Sequence, residues 1–134
     1  MTQAILKLGD LQVHFAVHGP FNRRIGSIKA VDGVSFDLMP GEVFGLVGAS
    51  GCGKSTLGKA IMGIHKPTAG EVRFEGQRID KLAPAARRAG RRSRQYAYQD
   101  PGAALDPRWK IGSSLHEPLM LQSGLDHAAR DARN

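Results

Sequence analysis

The sequence predicts an α/β fold preceded by an antiparallel β portion, and three observations carry that expectation. An unbroken apolar run, Val43-Phe44-Gly45-Leu46-Val47, has the pattern of a strand buried on both faces of a parallel sheet. A glycine-rich stretch follows at once, and beyond it Leu57, Ala60, Ile61 and Ile64 recur at helical spacing. Upstream, Leu11, Val13, Phe15 and Val17 alternate with Gln12, His14 and Ala16, the period of a half-buried strand.

Taken in order, the first strand covers 11–17. From 18 to 28 the alternation lapses into Gly19-Pro20 and Asn22-Arg23-Arg24, which reads as a long connection. It resumes over 30–38 with Val31, Val34 and Phe36, so the two segments are expected to pair antiparallel. Met39-Pro40-Gly41-Glu42 places Pro and Gly at the two centres of a type II turn, and the apolar strand 43–47 comes next. The amphipathic helix is expected over about 55–62, stopped by Gly63 and Pro67. Glu71-Val72-Arg73-Phe74-Glu75 alternates as another strand, with Glu75-Gly76 as its turn, and 95–99 is expected to form one more. A helix should start near Gly112, with Pro118 tolerated in its first turn or two, and a polar helical stub covers 126–134.

A chain of 134 residues, 41% of them hydrophobic, can fill one core and is too short for two domains. The longest run of apolar residues and glycines, 43–49, is far short of the roughly 20 residues of a membrane helix, and Met1-Thr2-Gln3 does not open like a secretion leader. One cysteine, Cys52, cannot form an internal disulfide, so a reducing compartment, the cytoplasm, is expected. The net charge of +7 is concentrated between 78 and 94, where Arg78, Lys81, Arg87, Arg88, Arg91, Arg92 and Arg94 face one acid, Asp80. Without interleaved aromatics, such a segment reads as a solvated or docking face more readily than as a reader of bases, and no nucleic-acid partner is expected.

The chemistry is carried by Gly48-Ala49-Ser50-Gly51-Cys52-Gly53-Lys54-Ser55, which matches G-x-x-x-x-G-K-[ST], the P-loop, between a strand and a helix as that motif requires. Glycines let successive backbone N–H groups curl toward one point, and the following helix adds its first-turn donors and the positive end of its dipole. A polyphosphate is the natural guest. Lys54 would reach the β- and γ-phosphates, Thr56 would add a backbone N–H, and the Ser55 hydroxyl would join the shell of a Mg²⁺ bound to the same phosphates. Cys52, at an unconstrained position, reads as a small loop filler in preference to a redox group. No N-K-x-D guanine reader occurs, which favours ATP. The fold expectation becomes a P-loop NTPase core with an antiparallel β subdomain.

These residues resemble the ATP-binding subunits of ABC transporters, within them the oligopeptide, dipeptide and nickel import branch. The resemblance runs through Lys29-Ala30-Val31-Asp32-Gly33-Val34-Ser35-Phe36, Gly41-Glu42 and 45–59, and again through Tyr98-Gln99-Asp100-Pro101 and Ala104-Leu105-Asp106-Pro107-Arg108. It departs at Ala49, where the branch usually has Glu, at Tyr98 for Phe and at Asp106 for Asn. The resemblance implies that Gln99 touches Mg²⁺ and the attacking water and relays nucleotide state to a membrane subunit. It also implies that Phe15 stacks on adenine, although its shared face with Leu11 and Val13 leaves a core role equally open. It implies two kinds of partner, a second ATP-binding subunit and transmembrane permease subunits, and a cytoplasmic location, peripheral on the inner face of the cell membrane. No L-S-G-G-Q signature and no apolar run ending in Asp-Glu occurs, so 1–134 is expected to be the N-terminal part of a nucleotide-binding domain of roughly 200–250 residues, truncated within the start of its helical subdomain.

Overall fold

A computed structural model describes residues 3–90, 93–100, 102 and 105–121. The chain divides into two compact units, Met1–Gln95 and Tyr96–Asn134.

The first unit is built on an antiparallel sheet of four strands: β1 (Leu6–His18), β2 (Arg24–Leu38), β3 (Ala69–Phe74) and β4 (Gln77–Arg78), in the order β2-β1-β3-β4. β1 and β2 pair from Leu6 opposite Leu38 to His18 opposite Arg24, and β3 takes the other edge of β1 from Leu6 opposite Phe74 to Gln12 opposite Ala69. Leu6, Leu8, Leu11 and Val13 of β1 are buried on one face. The three-residue step from Leu8 to Leu11 keeps that face because the register shifts there, with Asp10 at a left-handed φ of 45°. Against this face lie Val31, Val72, Ile79 and two residues of the helix α1 (Lys54–Ile61), Leu57 and Ala60.

Several local expectations hold. Gly41 has φ 76° and Glu42 N donates to Met39 O at 3.2 Å, the type II turn. Glu75 and Gly76 have φ 49° and 78° between paired Phe74 and Gln77, a two-residue hairpin of type I′. Helix α1 ends in a Schellman motif, with Gly63 N donating to Ala60 O at 3.0 Å and Ile64 N to Lys59 O at 2.8 Å.

Two expectations need correction. The long connection over 18–28 is a short one: both strands extend into it, leaving a single 3-10 turn, Pro20–Asn22, between them. Residues 20–29 are all exposed, so no buried face imprints a period of two on a segment whose pairing is made by its backbone. Phe21 and Asn22 of the turn have left-handed φ values of 59° and 57°, which costs an aromatic residue about 1–2 kcal/mol. Secondly, 43–47 forms no strand in this chain. Val43 and Val47 are 96% and 94% exposed, and the segment is held by Phe44 stacked on Phe36 at 4.6 Å. A ladder needs a neighbour, and among the described residues none lies beside this run.

The remaining helix of the first unit is α2 (Pro84–Gly90). The strand expected over 95–99 is not formed, since no neighbour pairs with it among the described residues, and in the second unit Tyr96 and Tyr98 meet edge to face at 5.2 Å. Helix α3 (Ile111–Leu121) begins where expected and contains Pro118 at the end of its second turn. The stub at 126–134 lies outside the described residues, as do Pro101 and Ala104.

Candidate functional site

The loop 48–53 runs from the segment 43–47 into α1, and its geometry follows from its glycines. Gly51 and Gly53 have φ of 78° and 96°, the left-handed turns that curl a nest and that side-chain-bearing residues rarely adopt. Gly53 is required twice over, because a Cβ there would collide with the carbonyl oxygen of Ala30 on β2. A register shift in the β1–β2 ladder leaves Ala30 between the pairs Val13–Val31 and His14–Lys29. That bulge brings the backbone of β2 against the start of the helix.

Gly53 caps α1 without a side-chain hydrogen bond, and no acid stands in the first turn. The first backbone bond of the helix is Leu57 N to Gly53 O at 2.9 Å, so the N–H groups of Lys54, Ser55 and Thr56 precede the ladder. Lys54 Nζ donates to Gly48 O and Ala49 O, both at 2.6 Å, and lies 3.4 Å from Cys52 Sγ. The ammonium is thus folded over the loop that it would share with an anion. Cys52 and Ser55 are exposed and Thr56 is half-buried, while Leu57 and Ala60 tie the helix to the core.

Mg²⁺ suits this donor set. A neutral hydroxyl at Ser55 is a hard oxygen ligand, and no group of three His, Cys, Asp or Glu able to hold a metal occurs among the described residues. Mg²⁺ sites commonly combine one or two protein oxygens with phosphate oxygens, a shell that such a hydroxyl would fit.

Phe15 is 39% exposed and outside the core, meeting His65 edge to face at 5.3 Å. It lies beyond the last β1–β3 pair, Gln12 with Ala69, just past the point where Thr68 Oγ1 accepts from His14 N at 2.9 Å. Gln99 belongs to the second unit, where it is exposed at a bend before Asp100, whose Oδ1 accepts from Gly102 N at 2.9 Å. Sequence reasoning missed Ala30, whose role is carried by its carbonyl, and His65 beside Phe15; neither stands in a motif.

Much of the basic segment is engaged within the fold. Arg78 pairs with Asp80 at 3.0 Å and Glu71 at 3.2 Å and donates to Gly70 O, and Arg87 donates to Leu82 O. Arg94 is buried, donates to Ile61 O at 3.1 Å and covers the Phe74 ring at 5.3 Å. Arg91 and Arg92 lie outside the described residues.

The ABC transporter family profile matches residues 31–133, well over half of the chain. The chain belongs to the ABC transporter family. This ABC chain is 45% identical over 119 residues to the oligopeptide transport ATP-binding protein AppF of Bacillus subtilis (strain 168), covering 87% of the chain and 36% of that protein. It is 46% identical over 134 residues to the glutathione import ATP-binding protein GsiA of Escherichia coli (strain K12), covering 97% of the chain and 22% of that protein. Among solved structures, the ATP-binding cassette MJ0796 bound to ADP and Pi aligns with a TM-score of 0.78 at 24% identity, over 96% of the chain and 53% of the cassette. That likeness shows the fold, an ABC cassette with its α/β P-loop core. The chain spans between about a fifth and about a half of the proteins it matches.

Proposed function

We propose that this ABC chain is the phosphate-holding N-terminal part of an ATP-binding subunit of a peptide-type importer. The observation that supports the reading most is the loop 48–56, which combines an uncapped helix start, two left-handed glycines and a Lys54 ammonium folded back onto Gly48 O and Ala49 O. The names of the relatives, oligopeptide transport and glutathione import, support short peptides as the cargo class.

In this reading the N–H groups of 54–56 and the nest hold the β- and γ-phosphates of ATP, and Lys54 exchanges its two carbonyl acceptors for phosphate oxygens. Phe15 stacks on the adenine. Ser55 Oγ would hold Mg²⁺, which when bound neutralises charge on the phosphate oxygens. Gln99 orients the attacking water and reports nucleotide state to a permease subunit. In its full-length form the subunit pairs with a second ATP-binding subunit beneath the permease subunits, on the cytoplasmic face of the membrane, and couples ATP hydrolysis to transport.

Calorimetric titration of the full-length subunit tests the site. Lys54→Ala is expected to weaken MgATP binding about tenfold or more, about 1.4 kcal/mol, through loss of the ammonium–phosphate contact. Equal affinities would sink the reading.

A further inference from the structure

The far end of the β1–β2 hairpin takes no part in the nucleotide site, yet its features are unusual. Phe21 is 103% exposed and Ile25 65%. Single apolar residues on a surface are ordinary, but these adjoin Arg23 and Arg24, and 18–29 contains no acid at all. Lys29 pairs with Asp32 at 3.2 Å, whereas among the described residues neither Arg23 nor Arg24 has an ion-pair partner.

The tip is also built. Gly19 N donates to Arg23 O at 2.8 Å and Arg23 N to Pro20 O at 3.5 Å, and Ile25 packs so closely on Gly19 that a Cβ there would stand 2.9 Å from Ile25 Cγ2. Phe21 sits in this turn at φ 59°, ψ 27°, a conformation disfavoured for an aromatic residue. Its full exposure means that no packing within the fold repays the strain, and strain of this kind points to use elsewhere.

We propose that the hairpin tip docks on an anionic phospholipid surface. Phe21 and Ile25 enter the boundary between headgroups and acyl chains, and Arg23 and Arg24 meet the lipid phosphates. Charge complementarity favours this occupant, and so does size. Two apolar side chains on a hairpin turn are far fewer than the roughly 20–30 residues a side of a specific protein interface, whereas lipid requires no complementary surface. The inference rests on the membrane-side placement of the subunit proposed above.

The test uses the purified full-length subunit, without permease, floated with vesicles of phosphatidylcholine alone or mixed equally with phosphatidylglycerol. Binding to the mixed vesicles is expected, with a drop of about tenfold or more for the double substitution Arg23→Glu, Arg24→Glu. Equal binding to neutral vesicles, or an unaffected double variant, would overturn the proposal, as would tip-dependent binding only to membranes that contain the permease. Independently of any loss of binding, Phe21→Trp should show fluorescence quenching by lipids brominated near the headgroup beyond that of the unsubstituted subunit; its absence overturns the insertion. MgATP titration of the same samples separates the two readings, since failed lipid binding with intact MgATP affinity removes only this one.

Discussion

Lys54 and Cys52 sit two residues apart in one turn, and the 3.4 Å between Nζ and Sγ makes the thiol a reporter on whatever the ammonium holds. Cys52 is exposed, so a maleimide is expected to label it in the nucleotide-free protein and to do so several-fold more slowly with saturating MgATP, as phosphates fill the loop. Mass spectrometry of labelling time courses reads this directly, and unchanged rates would mean that the loop does not enclose phosphate. At this scale the sequence was most legible. Residues 48–55 encode a local geometry, left-handed glycines followed by a helix start, and nothing distant is needed to realise it. Ala30 was not legible for the opposite reason. What it contributes is a backbone carbonyl at Gly53, which any residue type could supply, and its place is set by a bulge. Phe15 lay between these cases: the alternation with Leu11 and Val13 could not show that β3 stops pairing at Gln12.

Among the elements, the turns were read correctly because a glycine stands where each needs a left-handed backbone: Gly41, Gly63 and Gly76 all adopt it, and Glu75 is carried into it beside Gly76. Strand extents were less legible, since they depend on partners. The β1–β2 ladder continues through residues with no buried face, and 43–47 has the composition of a strand without a neighbour to pair with. The β3–β4 hairpin shows how a short element is held. Asp80, its side chain 7% exposed, accepts from Arg78 and from Val72 N at 3.0 Å. Burial pushes its carboxyl up, but the Arg78 guanidinium and the Val72 amide together hold it below the usual range. A carboxyl lowered on folding stabilises the protein above its unfolded value near 3.9, and that contribution is lost as pH falls through the folded value. Asp80→Asn is therefore expected to cost about 1–3 kcal/mol at pH 7. The deficit should close as the pH drops below about 4, in urea unfolding of the two proteins side by side. A deficit that does not change with pH would show that shape, and not charge, holds the hairpin.

For the molecule as a whole, a polypeptide of these 134 residues is expected to show no steady ATP turnover above a Lys54→Ala control. The sequence contains no apolar run ending in Asp-Glu and no L-S-G-G-Q segment, and Gln99 by itself is too weak a base to activate water. Phosphate release from the purified polypeptide checks this, and turnover that depends on Lys54 would require another source of catalytic groups. The family was legible because the resemblance rests on contiguous strings; the sheet was legible only in its antiparallel half, the half whose strands are all present among the described residues. The bare run 43–47 has a consequence for synthesis. A ribosome making a cassette of ~200–250 residues would present this sticky segment in the first third of its work, then spend on the order of ten seconds on the rest. Throughout that interval Val43 and Val47 are open to any passing strand edge. Slowed elongation downstream of codon 47 would therefore lengthen the nascent chain's dependence on chaperones while leaving the mature protein unaltered.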